Sequence, residues 1–193
     1  MPADQQQRLA ALLKAQSVTT GDFTLASGRR SSYYIDARRT TMSAAGLDLI
    51  GCLGLQAIRQ AGWSVSAVGG LTLGADPVAY AIARASVDRP PSVDAFTVRK
   101  EPKGHGAKRQ LEGCFARGAT VVVVEDVVTT GQSALRAIDA VRAEGGTVVG
   151  VLAVIDREEG GRDAIASAGY PLRSLLTLAD LGLTPDPPSA QSR

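Results

Sequence analysis

The sequence predicts an α/β fold, a parallel sheet flanked by helices, and three observations lead there. Val121-Val122-Val123-Val124 is an apolar run with no polar alternation, the pattern of a strand buried on both faces. From Trp63 onward such runs alternate with stretches of helical periodicity. With 193 residues, 45% of them hydrophobic and 21% charged, the chain suits one compact domain carrying a small appendage.

Taken in order, the elements justify this. Leu9, Leu12 and Leu13 fall at helical spacing. FTLASGRRSSYYIDAR, residues 23–38, reads as two short strands joined by a turn at Ser27-Gly28. Leu47, Ile50, Leu53, Leu55 and Ile58 predict a longer helix ending near Gly62. Residues 1–62 are therefore expected to form an N-terminal hood segment and the first long helix. Residues 63–180 are expected to form the core: strand VSAVGG, helix PVAYAIARA, strand DAFTV, strand TVVVVED, helix SALRAIDAVRAEGG and strand TVVGVLAVID. The last stretch, 181–193, ends in TPDPPSAQSR and is expected to be a disordered tail.

Composition excludes several classes. A net charge of +2 gives no argument for a nucleic-acid partner. Cys52 and Cys114 lack the spacing of a zinc or redox pair and read as reduced thiols. The first residues lack the basic-then-apolar layout of a secretory signal, and no apolar run approaches the roughly 20 residues that span a bilayer. A cytoplasmic protein without a membrane partner is expected.

Chemistry is expected where a parallel sheet places it, beyond the carboxyl ends of its strands. After Val124 come Glu125-Asp126-Val127-Val128-Thr129-Thr130-Gly131-Gln132-Ser133. Two acids leave the strand, and the Thr-Thr-Gly-Gln-Ser turn starts a helix whose free N–H groups and dipole favour a phosphate. Carboxylates beside an anion site need other partners, such as sugar hydroxyls or a cationic centre. A ribose 5-phosphate meets both demands, although an acidic pair alone is better explained as a helix-entry cap and solvated charge.

Two further strings stand on the same rim. Residues 99–109 hold Arg99, Lys100, Lys103, Lys108, Arg109 and the single histidine, His105, among glycines and a proline, the composition of an exposed loop. Asp156-Arg157-Glu158-Glu159 follows the last predicted strand, and a planar guanidinium there suits a carboxylate ligand.

VVVVEDVVTTGQS resembles the phosphoribosyl-diphosphate signature of the type I phosphoribosyltransferases, and RKEPKGHG with the Asp-Arg-Glu context is similar to the orotate phosphoribosyltransferases. The resemblance covers about Phe23 to Leu178. It implies a type I phosphoribosyltransferase fold, a parallel sheet flanked by helices with a small hood subdomain, and transfer of ribose 5-phosphate from phosphoribosyl diphosphate to orotate. It implies Glu125, Asp126, Lys103 and His105 as catalytic residues. Phosphoribosyl diphosphate would be bound by Arg99, Lys100, Lys103, His105 and the stretch Glu125 to Ser133, including Val127, Val128, Thr129, Thr130, Gly131 and Gln132. Orotate would be bound by Tyr34, Ile35, Thr129 and Arg157. Magnesium (Mg2+) is implied as cofactor, held mainly through the substrate without a protein cage, and the partner is a second copy of the chain in a homodimer with shared active sites. The sequence departs from the pattern at Ala26, where many relatives have Lys, and at Thr72-Leu73, where they have Tyr-Lys. A related enzyme using another base and a non-catalytic regulator are the alternatives. The carboxylate-reading Arg157 argues against the first, and the retained Lys103 and His105 against the second.

Overall fold

The computed structural model describes residues 2–24, 28, 30–101 and 110–185. Six strands form the central sheet: β3 (Ala67–Leu71), β4 (Asp94–Val98), β5 (Leu111–Gly113), β6 (Thr120–Val128), β7 (Thr147–Asp156) and β8 (Leu172–Thr177), in the order β5-β4-β3-β6-β7-β8. All pairings are parallel except that of β5 with β4 at one edge.

The four valines explain how the sheet is covered. Val122 and Val124 join one apolar cluster with Ile50, Leu53 and Ile82, while Val121 and Val123 join another with Ile138, Val141 and Ile165. Successive side chains of a strand point to opposite faces, so an uninterrupted apolar run means a helix layer on each side. The first layer holds α3 (Ala44–Gln60) and α4 (Ala75–Val87), and the second holds α5 (Gln132–Ala143) and α6 (Gly161–Ser167).

The N-terminal part begins with α1 (Pro2–Gln16), continues as the antiparallel pair β1 (Val18–Thr24) and β2 (Arg30–Ile35), and ends in a single helical turn, α2 (Arg38–Thr41). Helix α1 buries Leu9 and Leu13 against α3 and the C-terminal 3-10 turn Ala179–Leu181. The C-terminal segment thus backs the N-terminal one. This moves the boundary expected for the tail: Leu181 is buried, because it packs into the same apolar cluster as α1.

Besides the single turns α2 and Ala179–Leu181, the elements β5, α6 and β8 were not expected. Strand β5 has only three residues, too few to show alternation. Strands β4 and β5 pair antiparallel on either side of the loop expected at residues 99–109, of which 102–109 lie outside the described residues. Arg99 N–H donates to Gln110 O (2.9 Å) and Gln110 Nε2 donates to Arg99 O (2.8 Å), closing its stem.

Candidate active site

Strand β6 does not shed its two acids as expected. It runs through both acids to Val128, with Glu125 registered against Ala153 and Val128 against Asp156 of β7. Glu125 is therefore pinned inside the sheet and is only 5% exposed. Its Oε1 is buried without a hydrogen-bond partner among the described residues, and burial, with the Asp126 charge adding to it, pushes the carboxyl up to about 8.

Asp126 is less enclosed. Burial raises its pKa above the ordinary range, opposed by the Val127 N–H, which donates to Oδ1 at 2.9 Å, and by the positive charge of Arg38. Arg38 itself is held by Asp36, with Nε 2.8 Å from Oδ1. The loop between β3 and α4 comes up against the same carboxylate. A Cβ at Gly74 would lie 2.5 Å from Asp126 Oδ1, so any side chain there would push the carboxylate from this position.

Past Val128, the chain turns at Gly131, whose φ of 78° lies in the left-handed region, and enters α5. Residues 127–134 with Glu125 line a cavity of about 270 Å³. The first turn of α5, whose N–H groups lack partners within the helix, lines this cavity together with one buried carboxyl, an arrangement that suits an anion.

The loop after β7 is braced on this turn. Arg157 N–H donates to Val128 O (2.9 Å), and a Cβ at Gly161 would fall 2.6 Å from Thr129 O. Asp156, fully buried, accepts from Glu158 N–H at 2.9 Å and from Arg162 Nε at 3.0 Å. Arg162 Nη1 also reaches Leu172 O on β8 (3.0 Å). The guanidinium of Arg157 lies over the Tyr33 ring, 5.0 Å from its centre, donates to the Tyr33 hydroxyl (3.3 Å) and pairs with Glu159 Oε1 at 2.7 Å.

The residues expected from the sequence divide accordingly. Glu125, Asp126, Val127, Val128, Thr129, Thr130, Gly131, Gln132, Ser133 and Arg157 are brought to one rim. Tyr34 is exposed, its ring 5.9 Å from that of Phe23, and Ile35 is partly buried against the core. Arg99 and Lys100 lie exposed at the end of β4, Arg99 beside Glu112. Lys103 and His105, like Ala26, lie outside the described residues. Among the described residues no three His, Cys, Asp or Glu side chains are grouped as a metal cage. Sequence reasoning missed Tyr33, Glu159 and the Asp36–Arg38 pair. The alternation of RSSYYI carried a signal, because one of two adjacent tyrosines on a strand must face inward.

A phosphoribosyl transferase domain is matched over residues 43–168. The chain is 48% identical over 180 residues to the orotate phosphoribosyltransferase of Aquifex aeolicus, covering 92% of this chain and 97% of that one. The chain belongs to the orotate phosphoribosyltransferase family. The crystal structure of the Mycobacterium tuberculosis member in complex with Fe(III) dicitrate superposes with a TM-score of 0.83 at 49% identity, covering 93% of this chain and 99% of that one. The complex of the M. tuberculosis orotate phosphoribosyltransferase with 5-phospho-α-D-ribosyl 1-diphosphate gives a TM-score of 0.80 at 46% identity, with the same coverage. Membership in the orotate phosphoribosyltransferases accounts for an anion turn, a buried acid pair and a braced arginine standing on one sheet edge.

Proposed function

We propose that this chain transfers ribose 5-phosphate from phosphoribosyl diphosphate to orotate, giving orotidine 5′-phosphate and diphosphate, and so serves pyrimidine synthesis. The observation that carries the reading is Glu125: a buried carboxyl oxygen with no partner among the described residues, set in the wall of a cavity that suits an anion. Leaving such a group unsatisfied is costly, and the hydroxyls of a ribose whose phosphate occupies the α5 turn would satisfy it.

The reaction is a displacement at the anomeric carbon, in which the carbon–diphosphate bond breaks as the carbon–nitrogen bond to orotate forms. Glu125, protonated below about pH 8 in the free chain, and Asp126 hold the ribose hydroxyls, and the Asp126 carboxylate opposes the positive charge that develops on the ring. Backbone N–H groups from Val127 to Ser133 bind the 5′-phosphate. Arg99, Lys100, Lys103 and His105, which fall in sequence between β4 and β5, stabilise the departing diphosphate and shut out water. Arg157, oriented by Tyr33 and Glu159, reads the orotate carboxylate. Thr129 and the segment Tyr34-Ile35 border the pyrimidine.

Magnesium fits this donor set. The exposed side of Asp126 and the turn hydroxyls suit an ion that keeps its water and takes most of its ligands from the substrate's oxygens. When bound, it neutralises charge on the leaving diphosphate. The enzyme is proposed to work in the cytoplasm as a homodimer whose loops between β4 and β5 complete each other's sites.

The test is a rate measurement with phosphoribosyl diphosphate, magnesium and orotate, uracil or adenine in turn. Turnover with orotate alone is expected, and Arg157→Ala should raise the KM for orotate roughly tenfold to a hundredfold, as loss of a charge-assisted contact predicts. Turnover of uracil or adenine comparable to that of orotate would refute the assignment.

A further inference from the structure

We propose that Asp76 is a positioning residue for the diphosphate, acting through Thr72 and Thr97. Its carboxylate is buried in the first turn of α4. The Thr72 hydroxyl donates to Oδ2 at 2.7 Å and the Thr97 hydroxyl donates to Oδ1 at 2.8 Å. The Tyr80 hydroxyl stands 3.0 Å from Thr97 Oγ1, and Thr72 N–H donates to Val98 O at 2.8 Å.

One carboxylate thus ties together three pieces of chain. The first is the Thr72–Gly74 loop after β3, the second is the start of α4, and the third is the end of β4 at Thr97, two residues before Arg99. The acid pair lies between two loops. The 5′-phosphate turn lies on the α5 side of it, and the β3–α4 loop lies on the other, with Gly74 against Asp126. With the ribose on the acids, the anomeric diphosphate is directed toward that second loop. A charge buried away from water persists where its partners fix a geometry, and the geometry here is that of the loop and the end of β4 together. The Thr72 hydroxyl is spent on Asp76, so the loop would meet the diphosphate through backbone.

This inference rests on the proposed placement of phosphoribosyl diphosphate. It is tested by steady-state kinetics on the full chain with Thr97→Val, Thr97→Ser and Asp76→Asn, with Lys100→Ala as a variant of the diphosphate site that leaves the network intact. Thr97→Val and Asp76→Asn should raise the KM for phosphoribosyl diphosphate about tenfold, the loss expected for a hydrogen bond to a charged group, and move the KM for orotate less than about twofold. Thr97→Ser, which restores the hydroxyl, should return near wild-type values. Should Lys100→Ala raise that KM while Thr97→Val does not, the role of Asp76 is lost and the placement stands. Should neither change it, the placement itself is wrong. Equal changes for both substrates, or a Thr97→Ser variant no better than Thr97→Val, would reduce the network to fold stability alone and overturn the proposal.

Discussion

At the scale of the residue, Glu125 links the site to the stability of the protein. In the folded chain its carboxyl is raised to about 8 from an ordinary 4.5, with burial as the main cause. The folded state therefore holds a proton that the unfolded state releases in this interval. The associated stability is fully present below pH 4.5 and is lost as pH rises through 8. Glu125→Gln keeps the shape and removes the titration. Denaturant midpoints measured from pH 5 to pH 9 should show the variant gaining on the native protein as pH rises, by up to a few kcal/mol. Parallel curves would mean that Glu125 is ionised in the fold throughout. Residues of this kind were only half legible in the sequence. The pair Glu125-Asp126 stood out beside a phosphate turn, but its burial did not, because two acids at a strand end normally face water. Asp76 was hidden differently: an acid near a helix start reads as a favourable charge at the N-terminus, and its threonine partners lie 4 residues before it and 21 after it.

At the scale of the element, the loop from Asp156 to Gly161 is held from below by Arg162, which joins it to β8. Removing that brace should loosen Arg157 without touching substrate. Arg162→Ala is expected to raise the KM for orotate severalfold, less than Arg157→Ala does, and to leave the KM for phosphoribosyl diphosphate nearly unchanged. Steady-state kinetics with each substrate varied checks this, and equal effects on both would show that the loop also supports the phosphate turn it packs on. Strands β3, β4, β6 and β7 and helices α3, α4 and α5 were legible because their apolar periodicity is set by burial on two faces or on one stripe. Strand β8 carries charge at Arg173, and α6 has seven residues, so neither builds a period long enough to be read alone. The continuation of β6 through its acids was illegible for a related reason: pairing with β7 outweighs the preference of Glu and Asp to leave a strand.

At the scale of the molecule, the proposed sharing of sites in a dimer makes an arithmetic prediction. A chain with Lys103→Ala and one with Asp126→Asn should each be nearly inactive alone. Unfolded and refolded together, about half the dimers are mixed, each with one intact site of two, so about a quarter of native activity should return. Activity no greater than the sum of the parents, with mass measurement showing mixed dimers, would mean that each loop between β4 and β5 covers its own subunit. The parallel order of the sheet follows from the sequence, since apolar runs separated by helices admit few other arrangements. The packing of the C-terminal turn on α1 does not, because it depends on contacts between residues more than 160 positions apart, such as Gln6 with Leu175.

The central claim is that phosphoribosyl transfer takes place at the acid pair of β6. Asp126→Asn tests it most directly, with turnover measured on orotate and the Kd of phosphoribosyl diphosphate measured by calorimetry on the same preparation. An amide keeps most ground-state contacts to ribose hydroxyls but cannot oppose the charge that grows on the ring. Turnover lowered at least about a hundredfold, with a Kd within about threefold of the native value, is the result predicted. Undiminished turnover in Asp126→Asn would contradict the account.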